Sequence, residues 1–164
     1  MNFAVYEFLF GFLKIGYRGN ILLLMKKIDE TSDYGEKTDF TELVYTEVME
    51  YLNGDRTSFD FLYELDGTEF QKKVWKELTY IPYGETRTYK EITIAIGTPG
   101  ASRAVGTANN KNPIIIVVPC HRVVNANGEP GGYAGGIDMK KELLELEQKS
   151  THIIPKELTY LSVL

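Results

Sequence analysis

Apolar and polar positions alternate in one way over the first third of the chain and in another beyond it. The first 28 residues hold two apolar, aromatic-rich runs, FAVYEFLFGFL and NILLLMKKI, joined through Ile15-Gly16-Tyr17-Arg18-Gly19. Runs of this kind about a glycine-containing turn predict antiparallel strands. TSDYGEKTD is polar and reads as a loop. In FTELVYTEVMEYL (40–52), Phe40, Leu43, Val44, Val48 and Leu52 recur at helical spacing, and Asn53-Gly54 supplies a stop. SFDFLYEL then alternates as a further strand would.

From residue 67 the period becomes helical. Thr68 and Gln71 form a capping box for TEFQKKVWKEL, with Phe70, Val74 and Leu78 on one face. IPYGET is a turn. Thr88 and Glu91 make a second capping box, opening a short helix with Ile92, Ala95 and Ile96 apolar. Gly97 stops it, and Thr98-Pro99 predicts the next start, with Thr98 as N-cap and Pro99 at the first helical position. In that next helix Ala101, Ala104, Val105 and Ala108 form the expected buried face. Two short helices about a Gly-Thr-Pro-Gly turn have the form of a helix-turn-helix. NPIIIVVPCHRVV (112–124) reads as a buried strand ending at Pro119, and DMKKELLELEQK as a helix from Asp138 with Met139, Leu143 and Leu146 inward. The division is thus α+β: a strand-rich unit over 1–66, a mostly helical unit over 67–150, and a tail over 151–164.

Composition narrows the chemistry. A single cysteine and two histidines exclude a disulfide framework and fall short of the four Cys/His ligands that a structural zinc usually takes. The apolar N-terminus carries Glu7 and Lys14 and lacks a signal-peptide pattern, and no uncharged stretch has the length of a membrane span, so the expected compartment is the cytoplasm. The net charge of −5 conceals a segregation: residues 1–66 balance at −7, whereas 86–141 balance at +4 through Arg87, Lys90, Arg103, Lys111, Arg122, Lys140 and Lys141. A basic region within an acidic chain suits a polyanionic partner, although it equally suits a solvated surface.

Cys120 stands between Pro119 and His121 at the end of the most apolar run. A thiol becomes nucleophilic as a thiolate, which a neighbouring imidazole can promote. Strand neighbours point to opposite faces, however, so cooperation requires a bend at Cys120 or a bridging water. Without either, Cys120 reads as a buried and inert residue. A base also needs an orienting group. Glu147, four residues after Leu143 and three after Leu144 on the last helix, projects between them toward the core edge, where a carboxylate requires a partner; an imidazole fits, and so does a Lys or Arg. The second helix of the pair consists of small residues with Arg103 its one long cation, which permits either close approach to a partner or tight internal packing. GEPGGYAGG (128–136) lacks the lysine of a phosphate loop and lets backbone approach a flat ligand.

PCHRV (119–123), RAVGTA (103–108), YGETRTY (83–89) and GGYAGG (131–136), in that spacing, resemble the O6-alkylguanine-DNA alkyltransferases over about residues 68–149. The resemblance implies an RNase H-like N-terminal sheet domain and a winged-helix-like C-terminal domain. It implies irreversible, one-time transfer of an alkyl group from O6 of guanine, and from O4 of thymine, to Cys120. His121 would deprotonate Cys120 through a water, Glu147 would orient His121, and Tyr89 would offer its phenol to N3 of the guanine. The DNA contacts implied are Arg103, as a finger entering the stack, with Ala104, Gly106, Thr107 and Thr88. Asn112, Val123, Tyr133 and Ala134 would form or brace the guanine pocket, and Arg122 would tie the two domains through an acidic partner. The implied partner is double-stranded DNA, gripped in its minor groove by a monomer with the alkylated base flipped out; no cofactor or metal is implied. Ala134 departs from a frequent Ser, and Asn109 from a larger apolar residue. The competing readings are a lesion-binding protein of the same fold with an idle Cys120, and a Cys-His hydrolase unrelated to DNA.

Overall fold

The computed structural model describes the backbone of residues 1–163 and the side chains of residues 1–150. Three antiparallel strands, β1 (Asn2–Phe8), β2 (Gly11–Arg18) and β3 (Ile21–Ile28), open the chain as a meander. The first apolar run is therefore two strands, turning at Leu9-Phe10, and Ile15–Arg18 lies within β2 rather than in the expected turn. Pairing decides this: the turn sets Tyr6 opposite Leu13 and Ala4 opposite Ile15, all buried on one face. A register shift at Gly16/Tyr17 changes the phase of β3, so that Leu22 and Met25, three residues apart, both turn inward.

Helix α1 (Asp39–Leu52) lays Phe40, Val44, Val48 and Tyr51 on this face, with Thr38 and Thr41 closing its capping box. Leu43, placed inward by periodicity, is exposed. The expected strand in SFDFLYEL contracts to β4 (Leu62–Tyr63), which pairs parallel to β3.

The helical half packs α2 (Glu69–Leu78), α3 (Tyr89–Ala95) and α4 (Ser102–Asn110) together. Both expected capping boxes form, at Thr68/Gln71 and Thr88/Glu91. Trp75 ties α2 to α4 by donating its indole N–H to the carbonyl of Ala108 at 2.8 Å. Thr98 and Pro99 do not start a helix: they form a turn closed by the Ala101 N–H to the Thr98 carbonyl, and α4 begins three residues later without a side-chain cap. Its buried face is Val105, Ala108 and Asn109, while Ala104 is exposed beside Arg103 and Thr107.

The apolar run 112–119 is not a strand. It runs briefly parallel to β3, exchanging backbone hydrogen bonds with Met25 through Pro113 and Ile115, and then winds through a compact turn in which Ile116 takes φ 72°. A β-branched residue there is strained by about 1–3 kcal/mol and persists only where its surroundings hold it. Asn112 supplies that hold, donating Nδ2 to the Val118 carbonyl at 2.7 Å and accepting the Ile114 N–H at 3.0 Å. The turn ends in a single 3-10 turn, Cys120–Arg122, followed by β6 (Val123–Val124). Residues Arg87–Thr88 (β5) pair parallel to β6, which fixes the start of α3 beside this segment. Helix α5 (Ile137–Val163) closes the fold and runs past residue 150; the expected tail, 151–164, lies outside the residues whose side chains are described. Among the described residues no helix is long and apolar enough to cross a membrane.

Candidate active site

Because Cys120 and His121 lie in a 3-10 turn and not in a strand, their side chains need not diverge. Both are buried, at 1% and 0% exposure. Helix α5 brings Glu147, also 1% exposed, against them. Its carboxylate is the hub of the site. Oε2 accepts from His121 Nε2 at 2.6 Å, from the Tyr51 phenol at 2.5 Å and from Arg122 Nη2 at 3.1 Å. Oε1 accepts from Arg122 Nε at 2.8 Å and from the Gly84 N–H at 3.1 Å. The bond from Nε2 leaves Nδ1 as the imidazole's free position, and it has no hydrogen-bond partner among the described residues.

These contacts set the charge states. Burial alone would raise the pKa of Glu147, but the hydrogen bonds from His121 and Arg122 and the charge of Arg122 hold it well below the usual carboxylate range. Burial lowers the pKa of His121 against the opposing pull of Glu147, so the imidazole is neutral near pH 7. The Cys120 thiol is pushed up to about 11 by burial, opposed by a hydrogen bond with Asn112 and by the charge of Lys140. The cysteine is thus a thiol, and the next residue in the chain a neutral imidazole.

Tyr89, the first residue of α3, is half-buried, and burial followed by the proximity of Cys120 raises its pKa. Two features of the glycine-rich loop depend on the absence of a side chain. A Cβ at Gly131, which has φ 73°, would stand 3.2 Å from the Tyr89 hydroxyl, and one at Gly135 would stand 2.7 Å from the Tyr133 ring. Tyr133 is buried with its hydroxyl unpaired, and the Cys120 charge contributes to raising its pKa, after burial. Val123 is fully buried on β6, whereas Ala134 is exposed at the rim of a groove lined by Lys26, Lys111 and Asn112.

Thr88 caps α3, and Gly106 faces the Tyr89 ring. Arg103 borders a depression shared with Thr88, Tyr89 and Gly106, which joins the outer face of α4 to the mouth of the site. Ala104 and Thr107 line the next depression along that face.

Several placements differ from expectation. Arg122 does not reach an acid of the N-terminal unit; it pairs with Glu147 and donates to the Ile81 carbonyl at 2.8 Å, because the 3-10 turn directs it back along α5. Lys140, counted with the surface cations, is fully buried, and its Nζ donates to the Gly132 carbonyl at 3.1 Å from 6.0 Å above the Tyr89 ring. Burial brings its pKa down to about 8. Asn109 points inward, donating to the Cys120 carbonyl at 3.2 Å, and is not part of the outer face of α4. Tyr51 is absent from the sequence-derived site. Its burial follows from the Val44–Val48–Tyr51 stripe, but nothing local indicates a partner 96 positions away.

Fold and site define an α+β protein built around one buried cysteine, with a histidine–carboxylate pair behind it and a phenol beside it. Residues 69–149 match the family model described as the 6-O-methylguanine DNA methyltransferase, DNA binding domain. Among relatives, a methylated-DNA–protein-cysteine methyltransferase of Methanosarcina acetivorans is 52% identical over 78% of this chain and 82% of its own. Its counterpart from Mycolicibacterium paratuberculosis is 45% identical over 91% and 92%. Among solved structures, Mycobacterium tuberculosis OGT in complex with DNA superposes with a TM-score of 0.81 at 42% identity, covering 90% of this chain and 93% of that one. The O6-methylguanine-DNA methyltransferase of Pyrococcus kodakaraensis gives 0.64 at 30% identity, over 88% and 97%. The chain belongs to the methylated-DNA–protein-cysteine methyltransferase family.

Proposed function

We propose that the protein repairs alkylated DNA by direct reversal, moving a methyl or larger alkyl group from O6 of guanine, and from O4 of thymine, onto Cys120. The observation that carries this is the convergence of Cys120, His121 and Glu147 beside Tyr89, in a chain of this family. His121 Nδ1 takes the thiol proton through a water, and Glu147 holds the imidazole in the tautomer that leaves Nδ1 free. The thiolate then attacks the alkyl carbon. The C–O6 bond breaks, its electron pair passes to the purine, and Tyr89 donates a proton toward N3 and is later reprotonated. The product is a thioether that nothing in the site hydrolyses, so each molecule acts once.

DNA enters on the outer face of α4. Ala104, Gly106 and Thr107 are small enough for close approach in the minor groove, Thr88 contacts the backbone, and Arg103 fills the stack from which the lesion has flipped. Minor-groove contact carries little sequence information, which suits a protein that must survey all DNA. Asn112, Val123, Tyr133 and Ala134 form or brace the base pocket. A cysteine that is 1% exposed cannot meet a purine until its surroundings open. On this reading α3 and α4 act as a helix-turn-helix of winged-helix type, 1–66 as an RNase H-like domain and 67–150 as the reactive domain. The protein works as a monomer in the cytoplasm.

The test is the intact mass after incubation with a duplex containing O6-methylguanine. One methyl at Cys120, lost in Cys120→Ser, is expected. Binding without any mass gain would leave only lesion recognition, and turnover beyond one equivalent would overturn the single-use mechanism.

A further inference from the structure

Tyr51 belongs to the last turn of α1, yet its phenol reaches the hub of the site. The ring is fully buried, with its centroid 5.7 Å from that of Phe59 and edge-on to Tyr83 at 6.1 Å. A buried tyrosine needs a partner for its hydroxyl, and any carbonyl would serve. This hydroxyl instead donates to Glu147 Oε2 at 2.5 Å, the oxygen that also receives His121 Nε2 at 2.6 Å, and it lies 3.4 Å from Nε2 itself.

We propose that Tyr51 is a positioning residue for the His121–Glu147 pair, so that the N-terminal half supplies a working part of the site. This rests on the self-alkylation reading above. The phenol draws off part of the negative charge on Oε2 and fixes where that oxygen sits. Without it, Oε2 faces the imidazole undivided, and the proton affinity of His121 rises. The phenol stays a donor throughout, since burial and then the Glu147 charge hold its pKa well above 10. Among the described residues, the other groups facing this cluster are Arg122 and Cys120 of the 3-10 turn, Lys140 of α5, Tyr83 from the turn before β5, and Tyr133 of the glycine-rich loop. None of them changes when the hydroxyl is removed. Catalysis requires neutral His121, so a raised pKa moves the acid limb of the rate profile to higher pH.

Single-turnover methyl transfer from an O6-methylguanine duplex, followed from pH 5 to 9, compares the wild type with Tyr51→Phe, which keeps the ring. The expected result is an acid limb displaced upward by roughly half to one pH unit, with a plateau about tenfold lower. NMR titration of the His121 ring reads the same displacement if the rate is too low to follow. An unmoved limb or ring titration, whatever the change in Tm, would make Tyr51 a core residue only and overturn the inference. In a Glu147→Gln background the substitution should move the limb no further, and an undiminished displacement there would also defeat it. A wild type that transfers no methyl would refute the proposed function itself, an outcome distinct from a Tyr51→Phe variant that matches an active wild type.

Discussion

Replacing Glu147 by glutamine exchanges one oxygen for an amino group, yet among the described residues alone it disturbs five hydrogen bonds at once. Three donors converge on Oε2 and two on Oε1. If the remaining carbonyl keeps the Oε2 position, the new amino group confronts Arg122 Nε and the Gly84 N–H. If it takes the Oε1 position, the amino group faces the His121 ring, which must then carry its proton on Nδ1, the position required as the base. Either arrangement leaves the Arg122 guanidinium, itself buried, without its counter-charge. Breaking a buried ion pair from one side costs about 3–5 kcal/mol. For a chain of this size that corresponds to a fall in Tm of roughly 6–20 °C. The transfer rate should fall about 10²-fold, the lower end of what a positioned general base contributes, because the thiol retains its surroundings. The assay is quench-flow transfer from an O6-methylguanine duplex, with DNA affinity measured in parallel and expected to change little. A rate within twofold of the wild type, in a variant destabilised as stated, would show that Glu147 is a structural ion-pair partner and does not orient the base.

Two further outcomes follow from the same geometry. Glu147 titrates below its ordinary 4.5 in the folded state, so it contributes stability that is fully present above pH 4.5 and lost as pH falls through that value toward the folded pKa. The Tm difference between the wild type and Glu147→Gln should therefore narrow steadily below pH 4.5, and a constant difference would contradict the depressed pKa. Arg103→Ala should weaken repair of a duplex by about tenfold or more while sparing the reaction with free O6-benzylguanine, since Arg103 lies on the outer face of α4 and not in the pocket. Equal loss on both substrates would mean that Arg103 supports the fold.

Helix caps made by two side chains were legible in the sequence. The capping boxes at Thr68/Gln71 and Thr88/Glu91 formed as read, because a cap is a contract between residues three apart. The periodicity of α1, α2 and α5 likewise placed Val44, Val74 and Leu143 inward. The α4 start was misplaced because Thr98 and Pro99 satisfy a turn as readily as a cap. NPIIIVVPCHRVV was misread for a related reason. Its β-branched residues favour a strand, but the Asn112 side chain and the Met25 backbone draw the run into a turn, so that Cys120 and His121 lie in a 3-10 turn and not on a strand.

The candidates for the reacting residues were thus legible in the sequence, which puts Cys120 and His121 side by side and Glu147 on an apolar helix face. What surrounds them was decided by tertiary structure alone. Tyr51 and Glu147, 96 positions apart, meet because α1 packs on a sheet whose third strand also anchors the cysteine segment. Lys140 is indistinguishable in sequence from its neighbour Lys141, yet one is fully buried and the other exposed. Propensities and caps act over a turn of chain, whereas burial and charge pairing depend on which segments the fold brings together. The state of the thiol, a protonated and buried cysteine, follows from the second kind of interaction.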